Sequence, residues 1–196
     1  GVGLSCEDEV GGGGLRVRTG ARMTIQDMFF STITASANNT ASALIRLSGL
    51  TKTQFFAQTN KEVKALGATH SHFVDASGID PANITTARDM ALIAEHAFQN
   101  PMIRRAATTM QYRFMIRNTG EVKTIHNTNT LLTDDPDVWV TGGKTGYLEE
   151  SKYNLVTQMR PMTPDGTFVP GKDIIVVVFG AQDKESQFTI SKRLAQ

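Results

Sequence analysis

Apolar residues recur along this chain with one period in its first half and another in its second. Ile25, Met28, Phe29 and Ile33 fall on one face of a helix that Thr24 caps, with Asp27 three residues on. That helix should stop near Ala35, because Ser36-Ala37-Asn38-Asn39-Thr40 is a cluster of turn and cap residues. A second helix is predicted over 41–47, ending at Ser48-Gly49. Thr51 and Gln54 form a capping box for a third, which turns Phe55, Phe56, Val63 and Leu66 inward and is closed by Gly67. Thr86 with Asp89 opens a fourth, carrying Met90, Ile93, Ala94, Ala97 and Phe98, and Pro101 closes it.

Beyond that point the alternation is that of strands. Residues 110–117 alternate, Asn118-Thr119-Gly120-Glu121 turns the chain, and 122–125 return. Trp139 and Val140 lead into Thr141-Gly142-Gly143-Lys144-Thr145-Gly146. Residues 153–159 and 173–179 form two further strands across a Pro/Gly-containing loop, the second holding the longest apolar run, 174–179, as a buried strand. A short helix over 188–195 ends the chain. Helices first and a strand meander later predict an α+β fold, an antiparallel sheet packed with helices, in one domain over residues 1–196.

Composition narrows the partners. Twenty Lys+Arg against nineteen Asp+Glu leave a net charge of +1, without the concentrated basic face that nucleic acid requires. Arg16, Arg18 and Arg22 form a solvated stretch. No run approaches the 18–20 or so apolar residues of a membrane-spanning helix. The single cysteine, Cys6, permits no internal disulfide. His70 and His72 face oppositely and have no third ligand nearby, so no metal and no cofactor is expected. The glycine run Gly11 to Gly14 forms a loop or tight turn; Arg16 stands where a dinucleotide loop needs its third glycine.

Two motifs can carry chemistry. Ser36-Ala37-Asn38 sits at a break between two helices, where rigid ends can present a hydroxyl and an amide side by side; capping alone would also explain these residue types. Lys144-Thr145-Gly146 on a strand edge suits a carboxylate: the ammonium supplies charge, the hydroxyl a directional donor, and Gly146 lets a ligand backbone approach. The backbone N–H of Tyr147 can serve as one oxyanion donor. Each motif alone is weak; in this order they are two-thirds of the signature of serine penicillin-recognising enzymes.

The flanking residues sharpen the match. The stretch from Met23 to Met28 running into Ser36-Ala37-Asn38-Asn39-Thr40-Ala41 resembles the serine D-alanyl-D-alanine carboxypeptidase family, the low-molecular-weight penicillin-binding proteins. So do Leu66 to Val74 with Gly78, Thr85-Thr86-Ala87-Arg88-Asp89, Asn127-Thr128-Asn129-Thr130-Leu131-Leu132 and Tyr153-Asn154-Leu155-Val156. The resemblance spans nearly the whole chain and implies a β-lactamase/transpeptidase-like fold. It implies that Ser36 relays a proton between the family's base lysine, that of its Ser-x-x-Lys motif, and the leaving amine, that Asn38 holds the substrate backbone, and that Lys144 and Thr145 bind the terminal carboxylate. Ala37 stands where the family usually has glycine. The implied partner is a peptidoglycan stem peptide or a β-lactam, outside the bacterial cytoplasm.

One departure bears on all of this. No lysine of the chain is preceded by serine at three residues' distance, so the family's Ser-x-x-Lys nucleophile motif is missing. The resemblance puts that motif upstream of Gly1, together with the first sheet strands and the nucleophile helix. The chain is thus expected to be N-terminally incomplete, inactive alone, and complemented by an upstream segment or a second chain. Two alternatives follow: a non-catalytic peptidoglycan- or penicillin-recognising protein, and a D,D-endopeptidase or β-lactamase of the same fold.

Overall fold

The structure, a computed structural model, describes residues 1–5, 8, 11–133, 138–163, 165–169 and 171–195. Cys6 lies outside the described residues.

Two short strands, β1 (Val2–Gly3) and β2 (Arg22–Met23), pair antiparallel at the start of a helical layer. In α1 (Ile25–Ala35), Thr24 accepts from the Asp27 N–H at 3.0 Å while Asp27 accepts from the Thr24 N–H at 3.0 Å, the predicted capping box. The second helix, α2 (Asn38–Leu47), starts three residues earlier than its apolar pattern suggests, because Ala37 already adopts the extended cap conformation. Thr51 and Gln54 cap α3 (Lys52–Ala65), and Gly67 follows it at φ +86. Thr86 caps α4 (Ala87–Gln99).

Pro101 does more than close α4. It is the first residue of a further helix, α5 (Pro101–Thr108), whose N–H groups at Met102 and Ile103 bond to the Asn100 side chain. Proline suits a first helical position, where its missing N–H has no partner to lose. A hairpin of β3 (Gln111–Met115) and β4 (Val122–His126) follows. Then come one helical turn, α6 (Thr130–Thr133), and an antiparallel sheet in the order β5 (Trp139–Leu148), β6 (Lys152–Arg160), β7 (Ile174–Ala181). The last helix, α7 (Lys184–Ala195), begins four residues before the predicted 188, with the Ser186 N–H bonded to Asp183 at 2.8 Å.

Helix α7 covers one face of the sheet, where Leu155, Met159, Val176, Val178 and Phe188 form a buried cluster. Helix α4 packs against β6 and β7, and α5 against β5; on this second face Phe98 and Ala107 meet Val156, Ile175 and Ile33. A separate core of Met23, Met28, Phe114, Ile116 and Ile125 joins α1 to the β3–β4 hairpin. The apolar run 174–179 is not buried throughout: Val176 and Val178 are, whereas Phe179 is 41% exposed. Successive residues of the strand take opposite faces of the sheet: Val176 and Val178 join the α7 cluster, while Ile175 packs on the α4 side.

Candidate active site

Ser36 terminates α1 in the left-handed region, at φ 56 and ψ 39, an unfavourable place for a residue with a Cβ. Its neighbours enforce it: the Ala37 N–H donates to the Ser31 carbonyl at 3.1 Å and the Asn38 N–H to the Gly13 carbonyl at 2.8 Å. The reversal leaves Ser36 half-buried between two helix ends, its hydroxyl turned toward the sheet.

The residue it meets comes from far along the chain. Lys144 lies mid-strand in β5, paired with Val156 and so on the face that α4 and α5 cover. Its Nζ donates to Ser36 Oγ and, at 3.1 Å, to the Thr145 carbonyl. Among the described residues no carboxylate pairs with Lys144, and burial alone lowers its pKa from 10.5 to about 8.

Successive strand residues point to opposite faces. Thr145 therefore leaves Lys144 and shares a hydrogen bond with Thr128, Oγ1 to Oγ1, at 2.6 Å. The segment holding Thr128 is pinned on both sides. Its N–H donates to the Thr34 carbonyl of α1 at 3.3 Å, and Asn127 Nδ2 donates to the carbonyls of Ala107 and Thr109 at 2.9 and 3.0 Å. Asn127, Thr128 and Thr34 are the positioning residues that sequence reasoning did not assign. The Asn127-Thr128-Asn129 run was legible as a motif, but its role depends on contacts with α1 and α5 that no local pattern encodes.

The remaining expected residues are placed apart from this pair. Asn38 is buried, and its amide donates to the Gly11 carbonyl at 2.8 Å, binding the glycine run over the helix break. Tyr147 is exposed; its hydroxyl donates to the Glu149 carboxylate, which raises the phenol's pKa. Its backbone lies opposite Tyr153 on β5, an edge strand of the described sheet. At Gly146 the nearest atom to an added Cβ is Asn154 Cβ at 3.8 Å, so the strand is open there. Arg16, Arg18, Arg22, His70 and His72 are all exposed. A cavity of about 660 Å³ opens elsewhere, between α2 and the 75–81 segment, with the Arg46–Asp8 ion pair on its wall.

Chemically, the arrangement offers a hydroxyl, an amine held below its ordinary basicity and a second hydroxyl along an open strand edge. Comparison with known proteins gives this a context. A family model described as D-alanyl-D-alanine carboxypeptidase matches residues 7–183. A D-alanyl-D-alanine endopeptidase of Haemophilus influenzae is 31% identical over 155 residues, 76% of this chain and 50% of its own length. The D-alanyl-D-alanine carboxypeptidase DacF of Bacillus subtilis is 28% identical over 187 residues, 94% of this chain and 45% of its own. The chain thus spans about half the length of the curated relatives it matches. Among solved structures, the Streptomyces K15 DD-transpeptidase superposes with a TM-score of 0.80 at 26% identity, over 93% of this chain and 70% of that one. A D-alanyl-D-alanine carboxypeptidase from Mycobacterium tuberculosis shares the fold with a TM-score of 0.79 at 21% identity, over 100% of this chain and 74% of that one.

Proposed function

The chain belongs to the D-alanyl-D-alanine carboxypeptidase family, and on that premise we propose that it forms the carboxylate-binding and proton-relay part of a serine peptidase acting on peptidoglycan stem peptides. The observation that carries this reading is the hydrogen bond from Lys144 to Ser36, which joins the two motifs across the fold.

Near neutral pH Lys144 is mostly protonated, since its pKa is about 8. The ammonium receives the terminal carboxylate of an acyl-D-Ala-D-Ala peptide, or the equivalent group of a β-lactam. Thr145 exchanges its Thr128 partner for the same carboxylate and fixes its direction. The peptide lies along the open edge of β5, where Gly146 lets its backbone approach. Asn38 turns its amide from Gly11 to the substrate backbone, and the Tyr147 N–H stabilises the oxyanion. Ser36 passes a proton from the base lysine of the family's Ser-x-x-Lys motif to the leaving amine. Attack on a peptide bond by this family's route, which acylates the enzyme and releases the amine, needs a Ser-x-x-Lys serine, which residues 1–196 do not contain. Such substrates place the protein outside the bacterial cytoplasm; among the described residues no helix is long and apolar enough to cross a membrane.

The test is titration of the 196-residue chain with an N-acylated D-Ala-D-Ala peptide near pH 7, followed by NMR. Lys144→Ala should weaken binding by about 1.5–3 kcal/mol, the worth of a charge-assisted contact. Undiminished affinity in a folded Lys144→Ala variant would refute the reading. A second reading, endopeptidase rather than carboxypeptidase action, is favoured by the Haemophilus relative. Preference for a cross-linked peptide over a free D-Ala-D-Ala terminus in the same titration would select it.

A further inference from the structure

We propose that Ser36 and Lys144 also work as a nucleophile and base of their own, taking small activated acyl groups, from aryl esters or thioesters, onto Ser36 Oγ. This uses the cleft of the function proposed above but the opposite protonation state of Lys144, so the two stand or fall separately.

Three features meet at this pair. The hydroxyl and the amine are in direct hydrogen-bond contact, the first geometric requirement for a base to activate a serine. Ser36 is held in the left-handed region by bonds from the next two N–H groups to Ser31 and Gly13, so Oγ is fixed at a sharp reversal between helices. Among the described residues Lys144 has no anionic partner to keep it charged. The charged groups on the helices packed nearby are Arg104 and Arg105 of α5 and Arg88, Asp89, Glu95 and His96 of α4, with His126 ahead of the 127–129 segment; all are exposed except Asp89, whose carboxylate is taken by the His70 N–H and the Ser71 hydroxyl. On the neighbouring strand β6, Lys152 and Arg160 pair with Glu149 and Asp173. The carboxylate of α1, Asp27, is taken by the Thr24 N–H and the Tyr112 hydroxyl. Burial therefore governs the amine, and it becomes a free base above about pH 8.

With Lys144 neutral, its Nζ takes the Ser36 hydroxyl proton as Oγ bonds to the acyl carbon. The bond from that carbon to the leaving aryloxide or thiolate breaks, and Lys144 is left as an ammonium. After it loses this proton to solvent, Lys144 draws a proton from water, the hydroxide attacks the acyl carbon, and the same proton returns to Ser36 Oγ. The net reaction is hydrolysis of the ester or thioester. An activated leaving group needs no protonation, so the pair suffices for these donors although it lacks the further acid that a peptide amide requires.

The experiment is to treat the 196-residue chain with p-nitrophenyl acetate across pH, quench, digest and map acetyl groups by mass spectrometry. The expected result is an acetyl group on the peptide containing Ser36, formed with a rate that rises with pH and levels off above about 8. Ser36→Ala should abolish it. Lys144→Arg, which keeps the charge but cannot act as base, should slow it by about a hundredfold or more. Absence of Ser36 acetylation at any pH, a rate that follows hydroxide without levelling, or wild-type rates in Lys144→Arg would each overturn the proposal. If Lys144→Arg does not fold, the wild-type pH profile decides. Carboxylate binding near pH 7 without Ser36 acetylation defeats this inference alone, and acetylation without carboxylate binding defeats the function proposed above alone.

Discussion

Gly142, Gly143 and Gly146 lack side chains on one strand for different reasons. A Cβ on Gly142 would lie 2.8 Å from the ring of Phe98, and one on Gly143 2.7 Å from Asn129 Nδ2. At Gly146 there is only ordinary contact, at 3.8 Å. The first two are closed by packing and the third has room for a methyl group, which the glycine-rich string itself could not reveal because Phe98 belongs to a distant helix. Gly142→Ala should therefore lower stability by about 1–3 kcal/mol, the usual range for overpacking, as read from denaturant midpoints. Gly146→Ala should keep wild-type stability and lose affinity for an acyl-D-Ala-D-Ala peptide. Equal losses of stability in both variants would contradict this division.

Lys144 makes a separate residue-scale prediction. Its pKa is lowered by burial from 10.5 to about 8, so the fold favours the neutral amine. Between those two values the unfolded chain binds more protons than the folded one, and stability therefore rises with pH across that window. Lys144→Met should remove this rise. The check is the difference between wild-type and variant urea midpoints below and above pH 8, which should shift toward the wild type at the higher pH.

Among the helices, those opened by a threonine cap with its partner three residues on were the legible ones. Thr24, Thr51 and Thr86 each accept from the N–H three residues on, as their spacing to Asp27, Gln54 and Asp89 predicts. Helix α5 was missed because Pro101 serves equally as a terminator of one helix and the first residue of the next. What decides is the Asn100 side chain, which accepts from both Met102 and Ile103. This helix matters to the site, since its carbonyls at Ala106 and Ala107 receive Thr34 and Asn127. Asn100→Ala should cost about 1 kcal/mol, and Asn100→Asp should restore most of it by keeping the acceptor oxygen. Thermal unfolding of the two variants distinguishes a cap from a residue that merely fills space, for which both would be equally harmful.

At the scale of the molecule, the site exists only where the helical layer and the sheet meet. The order of Ser36-Ala37-Asn38 and Lys144-Thr145-Gly146 was readable in the sequence, as was the α+β layout that brings a helix break beside a strand edge. Their contact was not, because it depends on Lys144 facing α5 while Thr145 faces the other way, a consequence of strand register with Val156 and Leu155. Asn127 is the joint between the two layers: its amide closes the end of α5, its Oδ1 accepts from the Asn129 N–H at 3.0 Å, and Thr128 between them holds Thr145. Removing the amide leaves the Ala107 and Thr109 carbonyls without that donor and frees Thr128 to shift. Asn127→Ala should thus cost about 1–3 kcal/mol of stability for two lost hydrogen bonds, and it should also weaken carboxylate binding although Asn127 touches no ligand. Asn127→Asp, which keeps the acceptor but not the donors, should not restore either property. Wild-type peptide affinity in a folded Asn127→Ala variant would show that Thr145 is positioned by β5 alone, and that the sheet needs no help from the helical layer to present its hydroxyl.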